Sequence, residues 1–103
     1  LTGSIAGGVI DLGAGTDTLN LGNFANTLTV SNVETLVGNA STDIVTLGTA
    51  INGSINLAAG TDTLTLGNFA NSLTASNIEN ITGGTSADTV TLATQITTGV
   101  INL

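Results

Sequence analysis

The sequence contains no Lys, Arg, His, Cys, Met, Trp, Tyr or Pro. Without basic side chains the chain cannot neutralise phosphates, so we expect neither nucleic acids nor anionic membrane surfaces as partners. Without cysteine it can form no disulfide, and the fold must be stable without covalent cross-links. Two carboxylates suffice for glycoside hydrolysis. Because no basic group is present to hold a substrate, we nevertheless expect that the chain is not an enzyme.

The charged residues that remain are few, and all of them are acidic. The 103 residues have a net charge of −7, and only 7% are charged, compared with about 25% in an average globular domain. Apolar residues make up 41% of the chain, which argues against disorder. Phe24 and Phe69 are the only aromatic residues, so a large conventional core is not expected and the stability must come from repetition.

Long apolar runs are absent as well. No run approaches the roughly 20 residues that span a bilayer, so we expect no membrane insertion. The chain opens on Leu1, without the charged and then apolar pattern of a signal peptide. We therefore expect an interior or processed segment of a longer polypeptide.

The sequence is a tandem repeat. Residues 8–52 align with residues 53–97 at an offset of 45, with identical residues at 28 of the 45 positions, and a third copy begins at Gly99. The conserved parts are Gly-Thr-Asp-Thr-Leu at 15–19 and 60–64 and Leu-Gly-Asn-Phe-Ala-Asn at 21–26 and 66–71. Repeats of 20 to 50 residues are typical of solenoids, propellers and arrays. We treat residues 1–103 as one such segment.

Within each repeat, short alternating segments recur about every nine residues. Each carries two apolar residues that face the same way, as expected of a short strand; examples are Leu19/Leu21, Val45/Leu47, Leu64/Leu66 and Val90/Leu92. Gly, Asn, Asp, Ser and Thr lie between them and favour turns. The pattern predicts an all-β fold, a parallel β-solenoid (β-helix or β-roll) with two coils per 45-residue repeat.

Four aspartates mark the predicted corners. Asp17, Asp43, Asp62 and Asp88 are spaced 26, 19 and 26 residues apart, which indicates two unequal coils. We expect the shorter coil to contain an Asp corner, a strand, an Asn corner and a return strand, and residues 31–37 and 76–82 to form an additional side of the longer coil. The four aspartates would then lie along one edge, about 4.8 Å apart, and the two Phe residues on one line about 9.6 Å apart.

Around these corners the sequence resembles the calcium-binding nonapeptide G-G-x-G-x-D-x-U-x of RTX proteins, in which U is a large apolar residue. Residues 83–91 match it except for Ser86 in place of the third glycine. The resemblance implies Ca²⁺ held by Asp17, Asp43, Asp62 and Asp88 with carbonyl groups of the turns. Independently of the resemblance, stacked carboxylates without a basic neighbour favour a cation. The alternative is that these aspartates only cap backbone amides in the turns.

The run Gly-Thr-Asp-Thr-Leu followed by Ser-Asn-Val-Glu at 31–34 is similar to repeats of giant bacterial surface and surface-layer proteins, which implies an extracellular or cell-surface location. We expect a structural repeat that forms a rigid rod, fibre or surface layer and associates end to end with further repeats or copies. The alternative is an adhesin-type module that binds a glycan, a surface or ice through a Thr- and Asn-rich face. The residues after the Asp corners, such as Thr18, Thr63 and Thr89, would form that face.

Overall fold

A computed structural model describes all residues 1–103. Every regular element is a β-strand, and no helix is long and apolar enough to cross a membrane. The eleven strands are β1 (Ala6–Asp11), β2 (Thr18–Asn20), β3 (Asn26–Ser31), β4 (Thr35–Val37), β5 (Asp43–Leu47), β6 (Asn52–Asn56), β7 (Thr63–Thr65), β8 (Ser72–Ser76), β9 (Asn80–Thr82), β10 (Thr89–Leu92) and β11 (Val100–Asn102).

The strands form two parallel sheets. The odd sheet has the order β1-β3-β5-β7-β9-β11, and the even sheet has the order β10-β8-β6-β4-β2. Successive strands therefore alternate between the sheets, and each pair of strands completes one coil of about 19 residues, giving about five turns. The predicted parallel β-solenoid is confirmed.

Apolar side chains stack in rows between the sheets. In the odd sheet Leu28, Val45, Leu64 and Ile81 lie opposite one another in consecutive coils. In the even sheet the corresponding row contains Leu19, Leu36, Ile55 and Ala75. All of these side chains are buried, and burying one Leu, Ile or Val contributes about 1.5–3 kcal/mol. The alternating apolar residues of the sequence thus form a single narrow core along the whole solenoid.

The number of coils per repeat differs from the expectation of two. Five strands, β2 to β6, precede the first strand of the next repeat at β7, so one 45-residue repeat makes two and a half coils. The segments 31–37 and 76–82 are the source of the difference. They contain the complete strands β4 and β9, which pair in the sheets and each add half a coil instead of widening one.

The odd number of strands turns each repeat by half a turn relative to the previous one. Leu19 lies in the even sheet, whereas its repeat equivalent Leu64 lies in the odd sheet. Phe24 follows β2 and Phe69 follows β7, so their turns lie at opposite edges of the solenoid. The expected alignment of the two Phe residues on one line was therefore wrong.

Glycine is required where two coils approach most closely. Gly53 at β6 lies directly over the backbone carbonyl of Glu34, and Gly99 lies in the same way over the carbonyl of Glu79. A Cβ atom at either position would overlap that carbonyl oxygen, and a backbone atom held in the sheet cannot move aside.

We expect Gly53→Ala to lower the free energy of unfolding by about 1–3 kcal/mol, because overpacking forces the backbone of neighbouring coils apart. Gly3→Ala is the matched control, since nothing lies within 4 Å of a Cβ atom placed there. Urea denaturation followed by circular dichroism measures both variants. Equal stability of the two would contradict the observed register of β4 and β6.

Candidate functional site: two polar columns

At the start of most strands a polar side chain takes the place of an apolar one. These residues stack coil upon coil into two columns at opposite edges of the solenoid, one at the start of each sheet. The first polar column, at the odd sheet, consists of Asn26, Asp43, Asp62 and Glu79. The second polar column, at the even sheet, consists of two pairs, Asp17 with Glu34 and Asn71 with Asp88. In the coil between the two pairs the apolar Ile51 takes this corner, and its N–H donates to Asn71 Oδ1 at 3.0 Å.

The first column is held together by one repeated hydrogen bond, in which a backbone N–H donates to the side chain of the next coil. The N–H of Asn26 donates to Asp43 Oδ1 at 3.2 Å, and that of Asp43 donates to Asp62 Oδ1 at 2.7 Å. The N–H of Asp62 donates to Glu79 Oε2 at 2.8 Å. The carboxylates therefore satisfy corner amides that would otherwise be left unpaired. This confirms that these carboxylates cap backbone amides.

The asparagines add a second contact at their corners. The side-chain amide of Asn26 donates to Asp43 Oδ1 at 2.8 Å and to the carbonyl of Phe24 at 2.7 Å. Asn71 repeats both contacts, with Asp88 Oδ1 and the carbonyl of Phe69, each at 2.8 Å. This arrangement explains why Leu-Gly-Asn-Phe-Ala-Asn is conserved between the repeats: its final Asn closes the turn onto the aspartate of the next coil.

The four predicted site residues do not lie along one edge. Asp43 and Asp62 occupy adjacent coils of the first polar column. Asp17 and Asp88 lie at opposite ends of the second column, because β2 and β10 are the outermost strands of the even sheet. The predicted single edge was wrong because five strands per repeat send equivalent corners to alternate sides.

The sequence interpretation also missed the two glutamates as members of the columns. Glu34 and Glu79 accept from the backbone N–H groups of Asp17 and Asp62, both at 2.8 Å. The signal was present in the order Asp17, Asn26, Glu34 and Asp43, whose spacings of 9, 8 and 9 residues correspond to successive half coils.

Four of the five aspartates keep one oxygen unpaired. Oδ2 of Asp17, Asp43, Asp62 and Asp88 is buried without a hydrogen-bond partner. Asp43 and Asp62 are wholly enclosed, with 0% of each residue exposed. Glycine keeps the space beside two of these oxygens open: a Cβ atom on Gly38 would lie 2.8 Å from Asp43 Oδ2, and one on Gly83 would lie 2.7 Å from Asp88 Oδ2. An unpaired buried acceptor is costly, so a proton or a cation at these oxygens would relieve the cost.

The pKa of Asp62 is raised to about 6, chiefly by burial and to a lesser extent by the negative charges of Asp43 and Glu79, while the N–H donated by Asp43 acts in the opposite direction. Asp11 is the contrasting case. The side-chain amide of Asn32 and the backbone N–H of Gly13 hold the pKa of its exposed carboxyl below the ordinary value.

The fit of this site to calcium is partial. Calcium takes six to eight oxygen ligands, and Asp43 and Asp62 supply two unpaired, buried oxygens from adjacent coils. No group of three acidic side chains lies close enough together to hold a metal ion. The two aspartates would thus supply two oxygen ligands of a cation site, and the other ligands would have to come from backbone carbonyls or water.

The outward side chains form straight rows of hydroxyl groups. In the even sheet one row contains Thr18, Thr35, Ser54, Thr74 and Thr91. In the odd sheet another contains Thr29, Thr46, Thr65 and Thr82. The expected single threonine face after the Asp corners was wrong, because Thr18 and Thr89 lie on the even face and Thr63 on the odd face.

We expect the chain to melt several degrees higher at pH 5 than at pH 7.5. The folded pKa of Asp62, about 6, lies above the ordinary value of 3.8, so the folded state binds this proton more tightly than the unfolded state. The resulting stabilisation is complete below the ordinary pKa and is lost as the pH rises through the folded pKa. Thermal melts followed by circular dichroism measure it.

Asp62→Asn should reduce this difference in melting temperature, and Asp11→Asn, which removes the same charge from an exposed site, should leave it intact. The explanation fails if both variants respond to pH like the original chain.

Comparison with known proteins gives no relative: no family model, no curated protein and no solved structure matches the chain. The structure itself shows a parallel β-solenoid repeat protein with two polar columns whose side chains accept hydrogen bonds from backbone amides.

Proposed function

We propose that the chain is a structural repeat of an extracellular or cell-surface protein, which forms a rigid rod and is continued axially by further repeats or further copies. The observation that carries the proposal is that both ends of the solenoid present open ladders. The strands β1 and β2 at one end and β10 and β11 at the other each pair on one side only. Unpaired strand edges are templates for further pairing.

The side chains at these ends support axial continuation. Leu92 and Ile101 belong to the inward rows of the core, yet they are 43% and 41% exposed because no coil covers them. A further coil would bury both and would supply partners for the free backbone groups of β10 and β11. Natural solenoids cover such ends with polar caps.

The location rests on resemblance and composition. Residues 83–91 resemble the RTX nonapeptide, and the runs Gly-Thr-Asp-Thr-Leu and Ser-Asn-Val-Glu resemble repeats of giant bacterial surface proteins. The uniform coils suit a spacer, fibre or layer, since a regular solenoid without a pocket presents the same surface along its length. Association end to end would extend that surface without any new contact type.

Calcium belongs to the same proposal. Of the four aspartates, Asp43 and Asp62 are the best supported as ligands, because they are adjacent and each has an unpaired buried oxygen. A cation there would neutralise the first polar column, which has no basic residue to balance it.

An adhesin-type module is the second candidate, favoured by the row of five hydroxyl side chains on the even face. Regularly spaced hydroxyl groups could hydrogen-bond to a glycan or to ice. Binding of the chain to immobilised glycans, or shaping of ice crystals, that disappears in Ser54→Leu would favour this function over the structural one.

We expect chelation to lower the melting temperature of the chain relative to a calcium-containing solution. A ligand that binds only the folded state stabilises it by about 2.7 kcal/mol at a hundred times its Kd. The variant Asp43→Asn/Asp62→Asn should lose the response, whereas Asp11→Asn should keep it. An identical melting curve with excess chelator would leave the aspartates as capping groups alone.

We expect each added 45-residue repeat to lengthen the rod by about 12 Å, which is two and a half coils at about 4.8 Å each. A two-coil repeat would add only about 9.6 Å. Small-angle scattering from arrays of increasing repeat number measures the increment, and light scattering of the 103-residue chain tests end-to-end growth. Compact particles whose length does not rise with repeat number would exclude a rod.

A further inference from the structure

The acidic residues are confined to the narrow edges of the solenoid. Each of the seven lies at the first or last residue of a strand or directly before a strand, and none lies in the central outward rows of either sheet. The seven are Asp11, Asp17, Glu34, Asp43, Asp62, Glu79 and Asp88. Because the chain has no basic residue, no side chain balances the negative charge of either edge when calcium is absent. Like charge of this kind opposes contact between the edges of two rods.

The two broad faces are neutral. The odd face presents the threonine row Thr29, Thr46, Thr65 and Thr82, beside a second row with Thr27, Ile44, Thr63 and Asn80. The even face presents the five hydroxyl side chains described above. Flat sheets with β-branched, uncharged side chains are the surfaces that pair with other sheets. Ile44, 43% exposed at the middle of the odd face, is apolar surface that such pairing would cover.

The half turn between repeats makes the two faces alike. Strands that lie in the even sheet in one repeat lie in the odd sheet in the next, as β2 and β7 do. A continuous array therefore carries the same five-strand pattern on both faces, displaced by one repeat along the axis. Both faces therefore carry uncharged outward rows in the same strand pattern, with Thr89 on the even face at the place that Ile44 takes on the odd face.

We propose that the broad faces bind the broad faces of further copies of this chain, so that parallel rods assemble laterally into a layer whose two surfaces carry the acidic edges. The proposal rests on the rod function proposed above and adds a second direction of assembly. Since both faces of each rod are alike, addition continues on either side. The acidic edges repel and thereby restrict growth to the one lateral direction.

The area of contact sets a minimum length for this assembly. The odd face, with six strands of three to six residues, measures roughly 24 Å by 13 Å, or about 300 Å² on each partner. A pair of 103-residue chains would thus bury about 600 Å² in total, whereas stable interfaces bury about 1,200 Å² or more. A single segment is too short to pair laterally, and an array several times longer exceeds the threshold.

The test compares the 103-residue chain with a long array, made of the full chain followed by three further copies of residues 13–103, which continue the repeat in register. Sedimentation and electron microscopy at physiological ionic strength and low micromolar concentration measure the assembly. At concentrations where sedimentation shows it to be a monomer, we expect the short chain to show no lateral pairing. The long array should form layers with a rod-to-rod repeat of about 20 Å, since packed sheets lie about 10 Å apart within and between rods.

Matched variants identify the surface. Ile44→Glu and Ser54→Glu place a charge at the middle of the odd and the even face, and their equivalents in every copy should leave single rods. Ile44→Gln with Ser54→Gln keeps the faces neutral and should still form layers. Ala25→Glu with Ala70→Glu adds the same charge in the exposed turns at the two edges and should also form layers.

Several results would overturn the proposal: single rods from the unaltered long array, layers that persist in the face-charged variant, or equal loss in the edge-charged variant. Layers that form only after a glycan is added would overturn it in favour of glycan binding. Failure of the rod function is seen separately, as arrays whose length does not increase by about 24 Å for every five coils added.

Discussion

Every strand of this solenoid pairs only with the strands one coil away, and this stacking determines what each position can contain. Inward positions must hold apolar side chains that cover the core of the next coil, such as Leu36, Ile55 and Leu64, all of which have no exposed surface. Most corner positions hold groups that accept a hydrogen bond from the coil beside them. Close contacts must hold glycine, as at Gly53. The amino-acid sequence of each repeat reflects these three requirements.

The fold class was readable from the sequence because the two-residue alternation and the 45-residue duplication both survive in this chain. The core could be predicted for the same reason: Leu19, Leu21, Val45, Leu47, Leu64 and Leu66 are buried as expected. Val90 is half-buried and Leu92 is exposed, because β10 is the last strand of the even sheet. The number of coils per repeat could not be predicted from the sequence. It depends on whether residues 31–37 form a strand of their own or widen a coil, and three apolar or β-branched residues at 35–37 do not decide between the two. Pairing with β2 and β6 does.

The arrangement of the candidate site also depends on whether residues 31–37 contain a strand. Once Thr35–Val37 is a strand, Glu34 becomes a corner residue, Asp17 and Asp43 move to opposite edges, and Asp43 acquires Asp62 as its neighbour. The spacing of the aspartates alone does not assign them to an edge; Asn26 and Glu34 have to be counted as the half coils between Asp17 and Asp43. That Asp43, Asp62 and Asp88 each cap an amide with one oxygen and leave the other unpaired is likewise a matter of side-chain geometry.

The half turn between repeats also constrains how a gene that encodes such an array can change in length. Unequal recombination that adds or removes one 45-residue unit would turn every downstream residue to the opposite side of the rod, so that sites on the two flanks exchange places. Gain or loss of two units restores the original facing. Selection for the side of the rod on which a residue lies would therefore act on whether the number of repeats is odd or even, rather than on the number itself.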